Sequence, residues 1–196
     1  MIDHHFSLPV YSSVVEDNLF NVLKNDVYSY IQNNEAKINN FNTSDWDCNT
    51  ISSITAEEQF KSEALENILK THFNSYLTDL NVTAHVTTSG MWVNIADPGS
   101  YQEQHNHIGN NNIFSGVIWI DAKEDSGDLI FRNPYNNLLN ILPKNTKIHS
   151  RVIYRPYEKG ICLFPAFLEH SVRVNKSGSR RISVSFNIAQ IINKNV

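Results

Sequence analysis

The chain has 196 residues, a net charge of −4 and 41% hydrophobic residues, enough for one domain with a real buried core. A slightly acidic balance with scattered Lys and Arg argues against nucleic acid or an anionic membrane as an electrostatic partner. No apolar run is long enough to cross a bilayer, and Met1-Ile2-Asp3-His4-His5 lacks the basic and apolar regions of a signal peptide, so a cytoplasmic protein is expected.

In chain order, the first predicted element is a helix over 14–31, with Val15, Leu19, Val22, Leu23, Val27 and Ile31 on one face. A polar, Asn-rich stretch from Asn33 to Thr50 has too little apolar content to fold on its own. A second, stronger helix is predicted over 56–80, where Ala64, Leu65, Ile68, Leu69, Phe73 and Leu77 form a stripe. Beyond residue 81 the pattern changes to short β-prone runs punctuated by Gly, Pro, Asn and Asp: 82–88, 91–95, 101–107, 113–121, 128–132, 147–154, 160–164, 170–174 and 181–192. That supply of strands suits a small jelly roll of two facing antiparallel sheets, with the helices layered outside one of them. The expected organisation is a single domain, 1–196, in which a helical region, 1–81, supports a β core, 82–196.

Chemistry concentrates in the β region. His105 and His107 stand two apart before the apolar run 113–121, and residues two apart on a strand share a face, so both imidazoles can reach one ion. His170 follows the Phe164-Pro165 bend and opens another strand. A facial set of three protein ligands with the opposite side open is the arrangement of non-haem iron sites. Glu103 shares the face of His105 on a regular strand and is the reserve carboxylate ligand. His4 and His5 lie at the terminus, His72 falls on a helix, and His85 and His149 fall within strands; packing or surface roles suit all of them. In the final strand, Arg181, Ser183, Ser185 and Asn187 alternate with Ile182, Val184, Phe186 and Ile188. A guanidinium inside a barrel can grip a carboxylate with two parallel hydrogen bonds, and a hydroxyl adds a third. Regular alternation selects Arg181 over Arg180, and a bulge would reverse that choice. Cys162 reads as a buried strand residue and Cys48 as a loop residue; a bridge between them is not expected.

These motifs together resemble the 2-oxoglutarate- and iron(II)-dependent oxygenases, most nearly the short bacterial and phage-encoded members. The likeness runs over roughly residues 80 to 190. It is carried by Met91-Trp92-Val93-Asn94-Ile95, His105-Asn106-His107, Ser115-Gly116-Val117, Ser126-Gly127-Asp128-Leu129-Ile130-Phe131-Arg132-Asn133-Pro134, Leu163-Phe164-Pro165, His170-Ser171-Val172 and residues 181–187. Phe6-Ser7-Leu8-Pro9-Val10 gives a looser match. The resemblance implies a double-stranded β-helix, cupin-like, with His105, His107 and His170 as Fe(II) ligands. It also implies Arg181 and Ser183 as the anchor for 2-oxoglutarate, with O2 and an unidentified prime substrate as the remaining reactants. Asn94, Ser115 and Trp119 are expected to line the cavity, and the loop 133–146, with Tyr135, to cover its mouth. The chain departs from the wider superfamily at His107, where Asp or Glu is usual. Two alternatives stay open on sequence: a three-histidine iron dioxygenase that uses no oxoacid, and a non-catalytic jelly-roll module. Oligomeric state is open as well.

Overall fold

The computed structural model describes residues 8–34, 38–40, 49–136 and 149–191. Its core is mainly β, a jelly roll of two facing antiparallel sheets with helices layered outside one of them. The elements in order are β1 (Tyr11–Val14), α1 (Asp17–Asn34), β2 (Asn39–Asn40), β3 (Ile51–Ser52), α2 (Glu63–Asp79), β4 (Val86–Ala96) and β5 (Gln102–His105). There follow β6 (Asn112–Asp121), β7 (Leu129–Arg132), β8 (Arg151–Tyr154), β9 (Gly160–Pro165), β10 (His170–Val172) and β11 (Arg181–Gln190). The larger sheet has the order β1-β9-β6-β11-β4-β3-β2 and the smaller β5-β10-β7-β8.

Both helices are shorter at their starts than periodicity predicts. Val14 pairs with Gly160 and the Val15 amide donates to the Lys159 carbonyl, so α1 begins only at Asp17. At α2 the N-cap Ser62 sets the boundary, its Oγ accepting from the Leu65 amide and donating to Asp26 Oδ2 at 2.6 Å. That second bond ties the start of α2 to the flank of α1. Residues 82–85 precede β4 rather than belonging to it, and the break expected at Gly90 is a bulge. Gly90 faces Asn187 while Thr88 faces Ile188, leaving Ser89 as the extra residue within one long strand. His85 and His149 fall just outside β4 and β8. Three strands escaped the sequence reading: β1 on the flank of β9, and the short β2 and β3 beside β4. The first 81 residues therefore add strands to the sheet as well as helices.

Strand alternation divides the larger sheet into two faces. Val93, Ile95, Ile118, Ile120, Ile161, Leu163, Ile182, Val184, Phe186 and Ile188 point outward into one core with Phe20, Leu23 and Val27 of α1 and Leu65, Ile68 and Phe73 of α2. Phe186 lies so close to β6 that a Cβ at Gly116 would stand 2.5 Å from its ring, so Gly116 has to lack a side chain. A smaller apolar cluster, Trp119, Leu129, Phe131, Cys162, Phe164 and Leu168, fills part of the space between the sheets. Cys162 is fully buried there and unbridged, and Cys48 lies outside the described residues. No helix of the described residues is long and apolar enough to cross a membrane.

Candidate metal and oxoacid site

Between the sheets lies a cavity of about 240 Å³. Its wall on the smaller sheet carries the histidines. β10 runs between β5 and β7, and His170 stands opposite His105 on one side and Phe131 on the other. His107 follows the end of β5 and is tied to the bend after β9 by its amide, which donates to the Ala166 carbonyl at 2.9 Å. Ligand-capable nitrogens of His105, His107 and His170 lie within 4.8 Å of one another. Two pairs of residues distant in the chain thus meet through one ladder and one loop bond.

Two of the three rings are held in direction by backbone carbonyls. His105 Nδ1 is 2.7 Å from the Glu103 carbonyl and His170 Nδ1 is 2.9 Å from the Leu168 carbonyl, each two residues back in the chain. A carbonyl only accepts, so each Nδ1 carries the hydrogen and each Nε2 presents its lone pair. Such hydrogen bonds fix both tautomer and ring direction. Burial holds all three imidazoles below their ordinary pKa: His107 is pushed down to about 4, and His170, 5% exposed, well down, with the neighbouring imidazoles adding to the effect. At neutral pH the cluster is uncharged and needs to release no proton to bind an ion.

Glu103 is not among these groups. His170 and Val172 face His105 and Gln102, two steps on β10 against three on β5, so a bulge reverses the alternation expected there. Gln102 lines the cavity, the Glu103 side chain is exposed, and Glu103 meets His105 through its carbonyl instead.

Across the cavity, β11 keeps its regular alternation. Arg181 is 3% exposed, lines the cavity, and donates from Nη1 to the carbonyls of Ser126 and Gly127 at 2.8 and 2.9 Å. Burial lowers its pKa to about 10, which leaves it cationic. Among the described residues no carboxylate pairs with it. Arg180 points outward to Asp97, 2.7 Å away. Gly127 has φ +103°, and a Cβ there would stand 2.4 Å from the Arg173 carbonyl and 2.7 Å from Arg181 Nη1, so only glycine lets the guanidinium settle. Ser183 stands opposite Asn94, which in turn faces Ser52 of β3, making a polar row across the cavity floor. Asn94 donates to Ser185 Oγ, while its buried Oδ1 has no partner. Ser115 lines the same cavity with its hydroxyl 2.8 Å from Asn187 Oδ1.

A buried guanidinium without a counter-charge, facing three converging neutral imidazoles, fits a divalent ion chelated by a dicarboxylate. Residues 90–187, half the chain, match the model of the family described as "Putative 2OG-Fe(II) oxygenase". The chain belongs to this family. As a 2OG-Fe(II) oxygenase it works with iron(II) and 2-oxoglutarate, and the matched segment spans the three histidines, Arg181 and Ser183. No curated protein matches the chain. Solved structures with the same fold include a prolyl-4-hydroxylase from Pseudomonas putida, with TM-score 0.61 and 12% identity over 94% of each chain. A Trichoplax adhaerens prolyl hydroxylase, solved with a hypoxia inducible factor peptide, gives TM-score 0.62 and 14% identity over 93% of this chain and 83% of that one. The alpha ketoglutarate dependent carbocyclase SnoK from nogalamycin biosynthesis gives 0.66 and 8%, over 93% and 80%.

Several wall residues of this 2OG-Fe(II) oxygenase were not singled out from sequence. Gln102 and Asn106 flank the histidines, Trp92 packs with its ring centroid 5.7 Å from that of His107, and Ser52 and Ile54 come from β3 and the turn after it, just beyond the Asn-rich stretch. Trp92 was legible in principle, since it shares the face of Asn94 on β4. Of the expected covering loop, residues 137–146 lie outside the described residues, and Tyr135 is exposed.

Proposed function

We propose that this oxygenase hydroxylates a C–H bond of a prime substrate, with His105, His107 and His170 holding the iron and Arg181 and Ser183 anchoring the far carboxylate of 2-oxoglutarate. The observation that carries this reading is the buried Arg181, with no carboxylate partner among the described residues, in the cavity that the three histidines enter. Iron(II) with 2-oxoglutarate supplies the oxygen chemistry, in which the oxoacid becomes succinate and carbon dioxide and one oxygen atom goes to the prime substrate. The protein's part is orientation and exclusion of water. Glu103 and Leu168 carbonyls fix the rings of His105 and His170. Gly127 and Ser126 carbonyls fix the guanidinium, whose planar fork suits a carboxylate. Asn94 and Ser115 complete the wall, and the apolar cluster around Trp119, Leu129, Phe131 and Phe164 keeps bulk water from the reacting face. Among the described residues, those from 82 on form the catalytic core and those before 82 buttress it, with Ser52 and Ile54 also reaching the cavity wall.

Hydroxylation of a prolyl side chain and modification of a small metabolite both remain compatible with this wall, because the relatives of this fold include both kinds of enzyme by their names. Aerobic incubation with Fe(II) and 2-oxoglutarate tests the reading, with succinate formed slowly even without a prime substrate. Oxygen uptake with no succinate would overturn it.

A further inference from the structure

The centre proposed above places a doubly charged ion in a cavity whose described lining offers it no anionic side chain. Among the described residues that line it there is no aspartate and no glutamate, and the one permanent charge is the cation Arg181. The acids next to the histidines in sequence both turn away. Glu103 is exposed because of the β5 bulge, and Glu169, also exposed, accepts from Gln104 Nε2 at 2.6 Å. Three imidazoles contribute no charge. An ion bound alone would therefore add two positive units to a half-buried space that already holds one, where charges interact more strongly than in water. A dicarboxylate cancels two of those three units.

We infer that His107, by filling the third ligand position with an uncharged ring, makes divalent-metal binding and dicarboxylate binding conditional on each other. The inference rests on the proposed metal site and concerns its regulation: the site loads its metal when the oxoacid is present and gives it up when the oxoacid is scarce. Linkage is reciprocal, so the metal must raise oxoacid affinity by the same factor. Direct chelation couples the two ligands in any such site. The contribution of charge is isolated by comparing the chain with a variant that chelates alike but carries one negative ligand, His107→Asp.

The test is titration of the metal-free protein with Mn(II) under argon, with and without saturating 2-oxoglutarate, read by calorimetry and by quenching of Trp92, 5.7 Å from the His107 ring. The expected result is a gain in Mn(II) affinity on the order of tens of fold in the native chain. His107→Asp is expected to bind Mn(II) alone more tightly and to gain several-fold less from 2-oxoglutarate. An equal gain in both proteins overturns the inference. Should His107→Asp not fold, Arg181→Gln decides by a second route, since removing the fixed cation must tighten binding of Mn(II) alone; unchanged or weaker binding overturns it. Absence of Mn(II) binding by the native chain under both conditions sinks the metal site itself. Tight binding that 2-oxoglutarate leaves unchanged sinks only the conditional loading.

Discussion

His170 stands directly opposite His105 across the β5–β10 ladder, their ring centroids 4.3 Å apart. A strand pairing, and not a local motif, therefore brings together imidazoles that are distant in the chain. Removing either side chain should abolish the site without dismantling the sheet, because the backbone bonds remain. His170→Ala is expected to lose stoichiometric iron and all succinate formation, with the apo protein still showing a cooperative melt. Metal analysis and thermal denaturation check this together.

Among the described residues, Arg181 is the only guanidinium that lines the cavity. Arg181→Met should raise the KM for 2-oxoglutarate by roughly tenfold to a hundredfold, the worth of charge-assisted hydrogen bonds of about 1.5–3 kcal/mol. Arg180→Ala, which only breaks the exposed pair with Asp97, should leave that KM within about twofold, since such pairs contribute little. Steady-state kinetics of the two variants side by side settles which arginine is used.

Gly127→Ala should imitate the Arg181 change without touching the arginine. The added carbon meets the Arg173 backbone, which cannot swing aside, and it does so at a φ that side chains avoid. A lower melting temperature together with weaker 2-oxoglutarate binding is expected. Weaker binding with an unchanged KM for oxygen would mark the displaced guanidinium as the cause.

The metal-free protein should lose stability as pH falls. His107 and His170 have folded pKa values below their unfolded ones, so the unfolded chain binds more protons between pH 6.5 and about 4. Stability from this source is complete above pH 6.5 and declines through that window. Thermal melts of the apo protein at graded pH should show it, and metal should protect.

Much of this was legible in the sequence, and where it was not the reasons are physical. Periodicity gave the β11 faces correctly because that strand is regular from Arg181 to Asn187, so Arg181 could be chosen over Arg180. The same logic failed for Glu103, since the β5 bulge depends on pairing with β10, a strand distant in the chain. The start of α2 was missed because a capping serine at position 62 competes with a run of good helix formers before it. β2 and β3, two residues each, exist only through their pairing and carry no periodic signal. β1 was readable in principle from Pro9-Val10-Tyr11, but only its last residue, Val14, fell within an expected element, the helix over 14–31. The convergence of three imidazoles was expected from order and spacing, and Trp92 could have been added by its two-residue spacing from Asn94, whereas Gln102 and Ile54 join the cavity through contacts that spacing alone does not encode.

β1 has a consequence for handling this molecule. All six residues of β9 are buried, and Tyr11–Val14 cover that strand's outer flank through a continuous four-residue pairing. A truncation that trims the first fourteen residues would leave the three histidines and Arg181 in place yet uncover a ladder of unsatisfied amides and carbonyls along an apolar strand. Such a margin invites another copy to dock by strand addition, so a trimmed protein should form larger species on sizing chromatography before any defect in turnover becomes visible.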